Sequence, residues 1–156
     1  AVQRGVCPLD RLHEELAAGP MRGSALLRQA LAEVTAGARS VAEGDFLLLI
    51  KRARLPEPML NPRLYAGGTF IAAPDCWWPR LGLAAEVDSR EWHLSPGDWE
   101  QTMARHRRMT GYGITVLHFT PGQIARDPKG VIRDLAAAMA ACQGRPPLPI
   151  TARPAR

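Results

Sequence analysis

Three acidic residues, Asp75, Glu86 and Asp88, have the types and spacing to bind a metal ion if a hairpin brings them together. The Pro-Arg-Leu-Gly sequence at 79–82 predicts a tight four-residue turn between two strands. That turn would place Asp75 opposite Glu86, with Cβ atoms about 4.5–5.5 Å apart, and Asp88 would point to the same face. Like charges this close destabilise a sheet unless a proton or a cation relieves them. Three converging carboxylates favour a hard divalent cation such as Mg²⁺.

The same acids have a plainer interpretation as the solvent-facing half of an alternating strand, where they would bind nothing. The segment 83–88 is apolar up to Glu86, as expected of a buried strand that ends at a site. Pro74, in the preceding strand, could introduce a bulge that changes the register of the hairpin. The sequence leaves both interpretations open.

Length and composition restrict the class of protein. The 156 residues are enough for one domain with its own core, and 46% hydrophobic and 22% charged residues are ordinary values for a globular chain. The longest strongly apolar run, 46–50, is too short to span a bilayer, and the first residues lack the apolar core of a signal peptide. We therefore expect no membrane partner, and the missing initiator methionine predicts a piece of a longer protein.

The charge favours an anionic partner. A net charge of +5 and a pI near 9.7 predict binding to nucleic acid, with DNA the expected partner.

The three cysteines, Cys7, Cys76 and Cys142, are an odd number without metal-ligand spacing. They predict reduced thiols in a cytoplasmic protein. The sequence leaves open whether the chain forms a homodimer.

The predicted secondary structure is an α/β domain at residues 37–143, between a helical segment at 1–36 and a tail at 144–156. The tail is rich in Pro and Arg and is expected to be disordered. Within the domain the order is helix, three strands, helix, strand, helix, which predicts a mixed sheet with helices on its faces. The expected helices are 8–16, 24–34, 40–54, 96–110 and 127–142, and the expected strands are 61–66, 69–76, 83–88 and 114–120.

Three motifs carry a resemblance to a known family. They are the Pro-Asp pair at 74–75, the sequence Glu-Val-Asp-Ser-Arg-Glu-Trp-His at 86–93, and the strand Tyr-Gly-Ile-Thr-Val-Leu-His-Phe-Thr at 112–120. Through them, residues 40–141 resemble the PD-(D/E)XK, restriction-endonuclease-like superfamily, and more narrowly bacterial domains related to the very-short-patch repair endonuclease. The resemblance implies a restriction-endonuclease-like αβββαβ core and Mg²⁺- or Mn²⁺-dependent hydrolysis of phosphodiester bonds in DNA. It also implies that 1–36 is the tail of a preceding winged-helix-like region.

The resemblance implies roles for individual residues. Asp75 and Glu86 would be metal ligands, with the carbonyl of Val87 as a further ligand, and Glu43 would fill the family's first acidic position. Glu43 has a second interpretation, because the Ser-Val-Ala-Glu sequence at 40–43 is a capping-box pattern. The two roles are compatible, and the sequence does not choose between them.

The chain departs from the family pattern at four positions, one of which is Ser89, where related domains usually have a glycine after the aspartate. Asp88 stands where the superfamily has a lysine and would be an additional ligand, Thr102 replaces an acid, and His118 replaces an arginine. His93 or Arg90 would then orient water or neutralise charge, although His93 is also explained as a strand-end histidine bonded to a carbonyl. The departures support an alternative function, a catalytically impaired nuclease-fold domain that binds DNA or a partner protein in an antitoxin-like regulator.

A basic run on the predicted helix 96–110 contains Arg105, Arg107 and Arg108. Such a run is most often a solvated face. Its functional interpretation is contact with DNA phosphates beside the active site, which gives salt-dependent binding without sequence readout.

Overall fold

A computed structural model of the chain describes residues 15, 16, 19, 24–87 and 96–154, without the side chains at 31, 32, 34–36, 38, 39 and 96–99. The helices are α1 (Ala25–Arg52), α2 (Pro96–Gly111), α3 (Pro121–Arg126) and α4 (Pro128–Cys142). The strands are β1 (Met59–Leu60), β2 (Arg63–Ala66), β3 (Thr69–Ala72), β4 (Cys76–Trp78), β5 (Leu83–Val87), β6 (Thr115–Phe119) and β7 (Thr151–Arg153). The predicted α/β class, with a mixed sheet and flanking helices, is confirmed. None of the described helices combines the length and the apolar character needed to cross a membrane.

The central sheet has the strand order β1-β4-β5-β6. Strand β5 is antiparallel to β4 and parallel to β6, and α2 makes the crossover between the parallel pair, as expected. Helices α1 and α4 pack against β5 on one face, whereas α2 packs against β6. The two faces bury separate apolar clusters, one around Phe46, Leu83 and Leu135, the other around Trp77, Ala84 and Met109.

The hairpin between β4 and β5 has the register that the sequence predicts. Cys76 lies opposite Ala85, and residues 79–82 form the connection. Gly82 has a φ of +57°, which a residue with a Cβ rarely adopts. Asp75 immediately precedes the first paired residue, so the expected site begins where the ladder ends.

The strand expected at 69–76 is in fact two strands in different sheets. Strand β3 pairs with β2 in a second, three-stranded sheet of order β3-β2-β7, while β4 begins at Cys76 in the central sheet. Pro74 lies between them, is fully buried and has no N–H to donate to a ladder. It therefore ends a strand, which is a larger change than the bulge considered from the sequence.

The helices expected at 24–34 and 40–54 are a single helix, α1. Ser40 therefore lies inside the helix and is not an N-cap, so the capping-box interpretation of Glu43 is wrong. The expected domain boundary after residue 36 also falls within this helix. Packing on the sheet stabilises the continuous path despite the helix glycines, which cost up to about 1 kcal/mol each relative to alanine. Among the described side chains of α1, the buried ones are Ala42, Phe46 and Ile50, spaced four apart.

The tail expected to be disordered at 144–156 contains a strand. Strand β7 pairs antiparallel with β2, and the preceding Leu148 and Ile150 pack against the apolar cluster that contains Leu64. Burial of these side chains and pairing of a strand edge stabilise the segment, which composition alone did not indicate.

Two helices begin on the carboxyl side of β6, and the sequence predicted only one of them. Asp127 caps α4 by accepting a hydrogen bond from the Gly130 N–H at 2.9 Å, as the Asp-Pro sequence predicts. Helix α3 was not expected, although Thr120 and Gln123 form a reciprocal capping box at its start. Its six residues are too few to give a periodic pattern.

Candidate functional site

The two buried acids of the described residues lie at one end of the central sheet. Asp75 is 7% exposed and Glu86 is 3% exposed. Glu86 is near the carboxyl end of β5, where its ladder partner in the parallel strand β6 is His118. In open α/β sheets, ligands bind beyond the carboxyl ends of the strands. The candidate site is therefore at the position where this architecture usually binds ligands.

Hydrogen bonds fix Asp75 against the end of β5. Its Oδ2 accepts from the backbone N–H of Val87 at 2.8 Å, and its carbonyl accepts from the N–H of Asn61 at 2.9 Å. A charged acceptor strengthens the first bond. The hairpin thus brings Asp75 to the β5 end as predicted, and gives this carboxylate a structural role as well.

A small pocket beside Asp75 contains a second acid. Glu43 of α1 and Asp75 line a cavity of about 30 Å³, together with Asn61, Val87 and Cys76 among others. This volume has room for one ion or a water molecule. Carboxylate and amide oxygens are the donors that a hard cation prefers. The donor set and size of the Glu43–Asp75 pocket therefore fit Mg²⁺ or Mn²⁺.

Burial and the acids of this pocket change the pKa of its cysteine, Cys76. Burial raises the pKa of the Cys76 thiol from 9.0 to about 12, and the carboxylates of Asp75 and Glu43 contribute to the shift in the same direction. The thiol is therefore neutral at physiological pH and does not act as a nucleophile or as a thiolate ligand there.

The raised pKa of Cys76 predicts a loss of stability at high pH. The unfolded chain releases the thiol proton above pH 9, while the folded protein keeps it until about pH 12. Within that window the unfolded state binds fewer protons, so the free energy of unfolding should fall by up to about 1.4 kcal/mol per pH unit. Urea denaturation of the wild type and Cys76→Ala measures the difference. A stability difference between them that does not change from neutral pH to about pH 10.5 would contradict the shift.

Glu86 contacts α2 and is not among the residues that line the Glu43–Asp75 pocket. Its Oε2 accepts from Arg105 Nη2 at 2.8 Å and lies 3.7 Å from His118 Nδ1. His118 Nε2 is 2.9 Å from Nδ1 of His106, so one ring donates to the other. The buried carboxylate therefore has a guanidinium and one imidazole beside it, and the second imidazole contacts the first. The charge of Glu86 is therefore balanced within the protein.

The predicted metal ligands are only partly brought together. Among the described residues, no group of three His, Cys, Asp or Glu side chains could hold a metal ion. Val87 lines the pocket, and the role of its carbonyl as a metal ligand stays a prediction. Asp88, Arg90 and His93 lie outside the described residues, so their convergence with Asp75 stays a prediction.

The basic run on α2 is divided between two environments. Arg105 points inward to Glu86 and its side chain is 34% exposed, whereas Arg107 and Arg108 are exposed. The predicted contact of these arginines with phosphates stays a prediction. The pairing of Glu86 with His118 was missed from the sequence. The parallel register of β5 and β6 would have revealed it, but spacing along the chain does not.

Comparisons with known proteins give distant relatives. No family model matches the chain. It is similar to the uncharacterised proteins MT2308 and Rv2248 of Mycobacterium tuberculosis, strains CDC 1551 / Oshkosh and ATCC 25618 / H37Rv. Each is 28% identical over 107 residues, which are 69% of this chain and 40% of the relative. The chain thus spans about two fifths of the length of these curated relatives. No solved structure matches it.

Proposed function

We propose that this chain is a metal-dependent endonuclease domain that hydrolyses phosphodiester bonds in DNA in the cytoplasm. The proposal rests most directly on the Glu43–Asp75 pocket, where two carboxylates from separate elements share an ion-sized cavity at the end of β5. The net charge of +5 supports a polyanionic substrate. The sequence resemblance to the PD-(D/E)XK superfamily supports the same reaction.

In the proposed reaction, the acids of the pocket bind the metal ion and exposed arginines bind the DNA. Glu43 and Asp75 would hold Mg²⁺ or Mn²⁺, and the hydrogen bond from Val87 N–H orients the Asp75 carboxylate. A bound divalent cation supplies a more acidic water and neutralises charge on the phosphate. Arg107 and Arg108, exposed on α2, would contact the DNA backbone.

The residues that follow β5 complete the proposed site. Strand β5 ends at Val87, which lines the pocket, and Asp88 is the next residue in the sequence. Asp88 would add a carboxylate there, Arg90 would neutralise charge, and His93 would accept a proton from water near neutral pH.

A second function, binding DNA or a partner protein without cutting, is favoured by one specific observation. The Glu86 carboxylate is already balanced by Arg105 at 2.8 Å and is close to His118. A divalent cation would have to compete with this internal guanidinium for Glu86. A domain of an antitoxin-like regulator could keep the fold in this state and need no hydrolysis.

Incubation of the protein with supercoiled plasmid and branched DNA tests the first proposal against the second. We expect nicked or linear products with Mg²⁺ or Mn²⁺ and intact DNA with EDTA, because the water needs the cation to become acidic enough. Binding of DNA without cleavage under all metal conditions would instead support the non-cutting function.

A further inference from the structure

The second sheet carries a row of arginine and aromatic side chains on one side. The Arg63 guanidinium carbon lies 5.2 Å from the centre of the Phe70 ring, and that of Arg153 lies 5.0 Å from the centre of the Tyr65 ring. The two rings meet edge to face with centres 5.6 Å apart. These four residues, from β2, β3 and β7, form a continuous surface that we name the Arg–aromatic face.

The strand register explains why the four side chains share one side of the sheet. Arg63 and Tyr65 are two residues apart on β2, so they point the same way. Arg153 is the ladder partner of Arg63, and Phe70 is the partner of Tyr65. The alternate residue, Leu64, is fully buried on the opposite side. The fold therefore uses one side of this sheet for its core and presents the other to solvent.

The two arginine charges on this face do not stabilise the fold. Arg63 and Arg153 stand directly opposite each other, and like charges in that position destabilise a sheet. No carboxylate of the described residues lies within ion-pair distance of either arginine. Contact with the rings holds the guanidinium groups in place but does not neutralise them. An external anion would remove the repulsion.

The aromatic residues narrow the class of anion. Phe70 is 41% exposed, although large apolar side chains are normally buried, and the Arg63 guanidinium lies over its ring. Exposed rings beside arginines offer stacking surfaces for bases and contacts for phosphates, since guanidinium planes also stack on bases. Duplex DNA keeps its bases stacked inside, so the rings would gain little from it. A single strand can use both kinds of contact.

We propose that the Arg–aromatic face binds single-stranded DNA, with bases stacked on Phe70 and Tyr65 and phosphates contacting Arg63 and Arg153. This site lies on a different sheet from the Glu43–Asp75 pocket and does not depend on hydrolysis. Strand β3 continues through two residues into Asp75, so a strand bound here would approach the proposed catalytic edge. The site would favour substrates with an unpaired strand, such as branched DNA.

Fluorescence anisotropy of a labelled oligo-dT of about 12 nucleotides, in EDTA, tests the proposal. Phe70→Leu removes the ring at an exposed position and should weaken binding about tenfold, while binding to a duplex of equal length should change less than about twofold. The double variant Arg63→Gln/Arg153→Gln should reduce the slope of log affinity against log salt by about 1.4, or about 0.7 for each phosphate that is no longer neutralised.

Arg52→Gln/Arg80→Gln is the matched control, because it removes two exposed arginines outside the face. The salt slope of this control should differ less from that of the wild type than the slope of Arg63→Gln/Arg153→Gln does. Thermal melts should show that all variants are folded. The proposal is overturned if the wild type does not bind oligo-dT. It is also overturned if the face variants bind as tightly, and with the same salt slope, as the control. Because the readout is metal-free binding, failure of DNA cleavage would not affect this result.

Discussion

Replacing Arg105 by methionine is expected to lower the free energy of unfolding by about 3 kcal/mol. Glu86 is 3% exposed, and Arg105 places a guanidinium nitrogen 2.8 Å from its carboxylate. Removing the partner of a buried charge leaves that charge poorly compensated, which costs more than the pair contributes when intact. Urea unfolding followed by circular dichroism in EDTA measures the change.

The neighbouring arginine on α2 provides the control. Arg108→Met removes an exposed charge one helical turn away and should change stability by no more than about 0.5 kcal/mol. Glu86→Gln/Arg105→Met removes both charges and should recover part of the loss. Equal stability of Arg105→Met and Arg108→Met would show that the ion pair does not compensate the buried carboxylate.

Mn²⁺ is expected to stabilise the wild type by about 2.7 kcal/mol at a concentration a hundred times its Kd, because it binds only the folded pocket. Asp75→Asn should respond much less, since it removes one of the two charges of that pocket. Asparagine keeps an oxygen to accept the Val87 N–H, whereas Asp75→Ala would lose this bond and about 1–3 kcal/mol of stability. Thermal melts with and without Mn²⁺ measure the response.

Asp134→Asn is the matched control for the metal melts. It removes one exposed carboxylate from α4, so the Mn²⁺ response should equal that of the wild type. An equal response in Asp75→Asn would place the cation outside the pocket.

Local rules in the sequence predicted the parts of the fold that depend on neighbouring residues. The turn at 79–82 set the register of the β4–β5 hairpin and brought Asp75 to the end of β5. Asp127 followed by proline predicted the start of α4. The crossover through α2 followed from the short connections between elements, and it placed β6 beside β5.

Contacts between distant segments could not be predicted in the same way. Strand β7 pairs with β2 almost 90 residues earlier, and neither segment carries a periodic signal long enough to predict the pairing. The Arg–aromatic face depends on this pairing and was therefore missed. The pairing of Glu86 with Arg105 also depends on which helix covers each face of the sheet. The acids and their spacing indicate a candidate site, but packing decides which charges meet.

Single-turnover cleavage of DNA with Mn²⁺ tests most directly whether the Glu43–Asp75 pocket is the reaction centre. The wild type should cleave, and Glu43→Gln and Asp75→Asn should each lower the rate by at least about 100-fold, a typical loss for one electrostatic catalytic group. DNA affinity of the variants in EDTA should stay within about threefold of the wild type, since the arginines proposed to contact phosphates are unchanged. Cleavage by either variant at the wild-type rate, or cleavage by the wild type in EDTA, would contradict the account.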